Sequence, residues 1–163
     1  MQLEKLFKMQ AALDTHIEEK HNLQEEDLFE RKILALLVEI GELANETRCF
    51  KFWSVRPSSA KEVILEEFVD GVHFILSLGI ECGFDRQRVE VDISQSNLNV
   101  TEQFLRVYER ITIFHKSKDL TDFRYLFESY LRLALLLGFK DEEIEKAYFD
   151  KNEVNYQRQQ NNY

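Results

Sequence analysis

Proline and glycine, the residues that most readily interrupt regular backbone, are scarce, with one Pro and five Gly in 163 residues. That leaves too few turn signals for a strand-rich fold, and abundant Leu, Glu, Lys and Phe favour helices instead. Cysteine is nearly absent. Cys49 and Cys82 fall at opposite ends of what reads as a helical hairpin, so no disulfide between them is expected and both read as packing residues. Positive charge is in deficit, with 21 Lys and Arg against 30 Asp and Glu and a formal charge of −9. This disfavours nucleic acid as a partner. It also repels a polyphosphate, so bridging metal ions would have to carry such a contact. Long apolar runs are missing too: the longest late one, Leu133 to Leu137, is far too short to span a bilayer. The opening MQLEKLFKMQ lacks the continuous apolar segment of a signal peptide. The expectation is a soluble, cytoplasmic chain forming one domain over residues 1–163, with no membrane partner. No internal repeat or glycine-rich phosphate loop offers a site.

What is present is a pair of apolar segments, each carrying two acids three residues apart. ILALLVEIGELANE holds Glu39 and Glu42, and VILEEFVDGVHFIL holds Glu67 and Asp70. Residues i and i+3 share a helix face, so each pair projects two carboxylates to one side. Glu42 and Glu67 each lie about seven residues, roughly 10 Å of helix rise, from the connecting loop, so an antiparallel hairpin brings all four to one height. Four negative charges among Leu, Ile, Val and Phe are very costly unless something cationic neutralises them. All-oxygen ligation selects a hard ion, Mg²⁺ or Mn²⁺. The plainer alternative is a solvated acidic face, to which Glu46, Glu62 and Glu66 are assigned.

The rest of the chain reads as an all-α bundle of about six helices. A first helix, Met1 to about Glu19, sets Leu3, Leu6, Phe7, Leu13 and Ile17 on one stripe, with Gln10 and Asp14 beside it as surface polarity. Asn22 and Glu25 have capping-box spacing ahead of a helix to about Arg48, whose apolar set is Ile33, Leu36, Leu37, Ile40, Leu43 and Ala44. The lone proline marks a loop from Cys49 to Pro57, and Ser59 with Glu62 reads as the cap of the next helix. Within that loop Trp53 reads as a lid and Lys51 as solvated; on the third helix His73 and Phe74 read as core. That helix runs to Gly79 or Cys82, with Gly83 as its stop. From Arg86 to Leu98 helical periodicity fails, which predicts a mobile or extended connection able to contact a second subunit. Asn99 and Glu102 cap a helix to about Lys116, with Phe104, Val107, Ile111 and Phe114 inward. The helix from about Leu120 to Leu137 is richer in apolar residues than one face needs, which suits a central helix or a dimer interface. The last begins near Asp141 and aligns Lys151, Asn155 and Arg158 at i, i+4 and i+7, a pattern typical of solvated surface, before a QQNN tail that looks disordered.

The pair Glu39-Ile-Gly-Glu42 and Glu67-Phe-Val-Asp70 resembles the ExxE and ExxD motifs of the all-α nucleotide pyrophosphatase superfamily, which includes the MazG proteins and the dimeric dUTPases. Three further stretches are similar to the dimeric dUTPase branch: Met-Gln-x-x-Leu-Asp around Gln10 and Asp14, Cys-Phe-Lys-Phe-Trp ending at Trp53, and K-x-x-x-N-x-x-R-Q from Lys151 followed by Tyr163. Together they span nearly the whole chain. The resemblance implies an Mg²⁺-dependent homodimer that hydrolyses dUTP, and dUDP as a second substrate, to dUMP, releasing pyrophosphate from dUTP. It implies Glu39 as the group that orients and deprotonates water while touching metal, with Glu42, Glu67 and Asp70 as ligands. Lys151, Arg158 and Asn155 would grip phosphates, Tyr163 closing the same motif, with Lys51 within reach. Gln10, Asp14, Trp53 and Phe74 would form the uracil side, and His73 would meet the sugar hydroxyl. Relatives acting on dCTP or noncanonical nucleotides stay open as alternatives. So does a non-catalytic helical dimer that binds a regulatory protein, since some phage-encoded relatives are bound by repressors.

Overall fold

The structure is a computed structural model describing all of residues 1–163. It contains six α-helices and no strand: α1 Leu3–Lys20, α2 Phe29–Thr47, α3 Lys61–Glu81, α4 Val100–Ser117, α5 Leu120–Leu136 and α6 Asp141–Gln160, with one 3₁₀ turn at Phe84–Arg86. The all-α expectation holds. α3 is the centre of the bundle, because Phe68, Val69, Val72, Ile75, Leu76 and Leu78 are all buried, leaving one narrow polar face that holds Asp70, His73 and Ser77. It packs against α2, α1, α6 and α5, while α4 pairs with α5 and α2.

α2 and α3 form the antiparallel hairpin. Pairings from one end to the other fix its sense: Ser59 donates to Glu46, Glu39 meets Asp70, and Lys32 reaches Glu81. The inward positions of α2 are Ile33, Leu36, Ile40 and Leu43, whereas Leu34 and Val38 stand out in solvent. α5 is a core helix: Phe123, Leu126, Phe127, Tyr130 and Leu133 have no exposed surface.

Several boundaries move. α2 begins at Phe29, not near Asn22, which adopts a left-handed φ of 56° in the turn after α1. Leu28 holds the N-cap position without a side-chain cap, and Asp27 just before it accepts the Phe29 amide at 3.0 Å. Ser59 does not cap α3 either; its hydroxyl is taken by Glu46, and α3 starts at Lys61 after Ala60. The Asn99 and Glu102 capping box is formed reciprocally, at 2.9 Å in both directions. Gly83 and Gly138 hold φ of 76° and 80° just past α3 and α5, where a side chain would be strained.

Residues 87–98 are extended and tied to α5. The Glu128 carboxylate accepts the Asp92 amide at 2.9 Å, Arg124 donates to Glu90 O, and Arg132 donates to the carbonyls of Asp92 and Ser94. The tail looked disordered in sequence, yet α6 continues through Gln160 and the Tyr163 amide closes onto Arg158 O at 2.9 Å. Cys82 is half-buried, as a packing residue should be, but Cys49 is exposed.

Candidate active site

Carboxylate oxygens of Glu39, Glu67 and Asp70 lie within 4.8 Å of one another where α2 faces α3. Glu42 is on the exposed side of this trio but close enough to Glu39 to bond to it and raise its proton affinity. Burial, then the charge of Asp70, then Glu42 and Glu67, push the Glu39 carboxyl up to about 8. Burial leads the upward shift at Glu67 and Asp70 as well. Glu39 Oε2 is buried without a partner. An orphaned carboxylate oxygen beside two other half-buried carboxylates is a donor set suited to a hard divalent cation.

The floor under this site is a close packing of α3 on α5. The Tyr130 hydroxyl donates to Phe68 O at 2.6 Å, and its ring stacks on Phe68 with centroids 4.3 Å apart. Tyr130 fits there because residue 71 is glycine; a Cβ at Gly71 would stand 2.7 Å from Tyr130 Cζ.

A cavity of about 380 Å³ opens beside the carboxylates. Its walls include Glu39 and Asp70, then Gln10, Asp14, His73 and Phe74, and Asn155, Arg158 and Tyr163 from the end of α6. The sequence pattern therefore converges on one place from four helices. Gln10 and Asp14 are not surface residues: Gln10 is 3% exposed. Gln10 Nε2 donates to Asp14 Oδ1 at 2.8 Å, and Ser77 Oγ donates to Asp14 Oδ2 at 2.7 Å. Gln10 Oε1 accepts from Tyr148 at 2.9 Å and from His73 Nδ1 at 2.7 Å. Burial, with the nearby Lys151 charge, lowers the His73 imidazole to about 3, so it is neutral.

Lys151 is not solvated. Its Nζ lies 2.9 Å from Asp70 Oδ2 and 3.0 Å from Glu66 Oε1, which also removes Glu66 from the purely solvated class. Arg158 lies over the Tyr163 ring, 4.8 Å from its centroid. Two expected residues are elsewhere. Trp53 is 64% exposed and packs on Phe50 and Phe52, and neither it nor Lys51 lines the cavity. The loop that carries them is held by short-range bonds such as Arg48 to Ser54 and by the Thr101 hydroxyl donating to Cys49 O at 3.4 Å, and it projects from the hairpin end.

Three participants were not singled out from sequence: Lys32, Ser77 and Tyr148. Lys32 lies 2.5 Å from Glu81, 3.6 Å from Glu18 and 3.9 Å from Asp14. Its place seven residues before Glu39 puts it on the same face of α2, and Ser77 follows His73 by four on α3. Tyr148 carries the equivalent signal three residues before Lys151 on α6.

No curated protein matches the chain at a significant level. A family model described as dUTPase matches residues 2–163, all but the first residue. With an all-helical fold and clustered carboxylates to accompany that match, the chain belongs to the all-α dUTPase family, and its activity is that of a dUTP diphosphatase.

Proposed function

We propose that the chain is an Mg²⁺-dependent dUTP diphosphatase that yields dUMP and pyrophosphate, accepts dUDP as a second substrate and tolerates Mn²⁺ in place of Mg²⁺. The observation that carries this is the meeting of Glu39, Glu67 and Asp70 oxygens within 4.8 Å, with Glu39 and Asp70 lining the same cavity as Gln10 and His73. Glu39, Glu42, Glu67 and Asp70 would hold the ions. Bound divalent ions supply charge neutralisation for the polyphosphate and a more acidic water.

The chain's own residues supply the rest. Glu39 carries the buried, unpartnered oxygen, so its carboxylate is the group placed to orient a water and take its proton. Arg158 and Asn155 line the cavity from α6 and can donate to phosphate oxygens, and Lys151 keeps an ammonium beside Asp70 for the same purpose. Gln10 with Asp14, Phe74 and His73 forms the nucleoside side: a polar edge, an apolar ring and a neutral imidazole. Tyr163, stacked under Arg158, orders the guanidinium.

A homodimer is part of the same proposal. Phe50, Phe52, Trp53 and Val55 are exposed together in the loop 48–60, an apolar cluster that a second subunit would cover. Trp53 and Lys51 would then act from that interface. The same cluster is the observation that favours a regulatory protein partner of repressor type. Pyrophosphate release from a panel of deoxynucleotides, with and without Mg²⁺, tests the activity. Pyrophosphate release from dUTP but from no other deoxynucleoside triphosphate, lost with chelator and in Glu39→Gln, is the expected result; equal release from dCTP would shift the assignment to a broader nucleotide pyrophosphatase.

A further inference from the structure

Resting on the reading that this cavity takes the uracil end of the substrate, we infer that Tyr148, Asp14 and Ser77 are positioning residues that lock the Gln10 amide in one orientation, with its N–H toward the ring, and thereby exclude cytosine. A glutamine amide is two-faced, since half a turn about its last bond exchanges donor for acceptor. The surroundings of Gln10 oppose that turn, the ionised Asp14 carboxylate most of all. Asp14 offers only acceptor oxygens when ionised; Oδ2 is occupied by Ser77 at 2.7 Å and Oδ1 takes Gln10 Nε2 at 2.8 Å. Gln10 Oε1 accepts two hydrogen bonds, from the Tyr148 hydroxyl at 2.9 Å and His73 Nδ1 at 2.7 Å.

Rotation would set amide oxygen against the Asp14 carboxylate oxygen, and would force the neutral His73 imidazole into its other tautomer to receive the amide hydrogens. Little water reaches the mismatch, because Gln10 is 3% exposed and Tyr148 has no exposed surface. Nor can the hydroxyl swing aside: the Tyr148 ring is stacked on His73 with centroids 4.2 Å apart.

The lock has a chemical consequence. Of the two hydrogens on Gln10 Nε2 one is committed to Asp14, which leaves a single N–H and no amide acceptor. His73 donates through Nδ1, so Nε2 carries the lone pair, and that atom is buried with no protein partner. The nucleoside side thus offers one donor and one acceptor of fixed sense. Uracil presents a carbonyl oxygen at C4 where cytosine presents an amino group, so a fixed N–H bonds to one ring and meets N–H groups on the other. A rotatable amide would accept either.

Steady-state kinetics of the full chain with saturating Mg²⁺, using dUTP and dCTP in parallel, test the lock in Tyr148→Phe and Ser77→Ala, with Gln10→Ala for comparison. Each positioning variant should lower the dUTP to dCTP ratio of kcat/KM by about tenfold or more, through KM more than kcat. Ser77→Ala removes a single hydroxyl and so keeps the test valid should Tyr148→Phe fold poorly. A ratio unchanged in both, or equal losses on both nucleotides, overturns the lock. If Gln10→Ala lowers the ratio and the positioning variants do not, only the lock falls; if Gln10→Ala leaves it unchanged too, the base-pocket reading falls with it.

Discussion

The Lys151 ammonium lies 2.9 Å from the Asp70 carboxylate, so a residue of the C-terminal helix neutralises one member of the acidic trio directly. The same ammonium donates to a second carboxylate, Glu66, at 3.0 Å; burial disfavours its charge, but these two bonds outweigh that and raise its affinity for a proton. A cation held in this way competes with any divalent ion for Asp70.

Lys151→Met should therefore separate stability from ion binding. Without divalent ions the variant should lose about 2 kcal/mol of stability, the cost of leaving a half-buried carboxylate without its charged partner. Ion-dependent stabilisation should grow, while kcat/KM for dUTP drops at least tenfold. Denaturant melts with EDTA and with Mg²⁺ read the first two effects, and pyrophosphate release reads the third.

Glu39→Gln should abolish turnover and leave the fold intact. Because burial and the neighbouring carboxylates hold Glu39 up to about 8, removing its charge should make the ion-free protein more stable at alkaline pH. Circular dichroism melts at pH 8.5 with EDTA check this, and a variant with near-normal rates would refute the role of Glu39 as base.

Stability of the ion-free chain should fall with rising pH. A carboxyl whose folded-state proton affinity is raised is favourable in its protonated form; its contribution is complete below the ordinary value of 4.5 and is lost as pH climbs through about 8. Glu67 and Asp70, shifted in the same direction, steepen the loss. Urea denaturation in EDTA between pH 5 and pH 9 should show the decline, and saturating Mg²⁺ should flatten it.

Gly71→Ala should disturb the site from beneath. The new methyl would meet the Tyr130 ring, 2.7 Å from Cζ, at a tyrosine with no exposed surface and a hydroxyl already bound to Phe68 O. Overpacking of this kind costs about 2–3 kcal/mol. Since Asp70 is the preceding residue, Mg²⁺ affinity should fall as well, which calorimetric titration of the folded variant would show.

The helices themselves were legible in the sequence because apolar residues recur at helical spacing: Phe104, Val107, Ile111 and Phe114 predicted α4 and are all buried. The acidic pairs were legible for the same reason, since Glu39, Glu67 and Asp70 needed only helix periodicity and an antiparallel partner. What could not be read was which polar residues the packing of α1, α3 and α6 would bury. Gln10 beside an apolar stripe has the pattern of surface polarity, and it becomes core only because Tyr148 and His73 close over it from two other helices. Lys151 misled in the same way: an i, i+4, i+7 cationic stripe says nothing of a carboxylate waiting on α3. The start of α2 was misplaced because Asn22 with Glu25 and Asp27 with Glu30 share the same capping-box spacing, and only packing decides that the helix starts after the second pair.

The most direct measurement is the thermal melting of purified protein against Mg²⁺ and Mn²⁺, with and without a nonhydrolysable dUTP analogue, beside the Asp70→Asn variant. Acids crowded together in an apolar hairpin should yield a melting temperature that climbs with ion concentration, climbs further with the analogue, and hardly responds in the variant. A wild-type curve that ignores both ions under every condition would contradict the account.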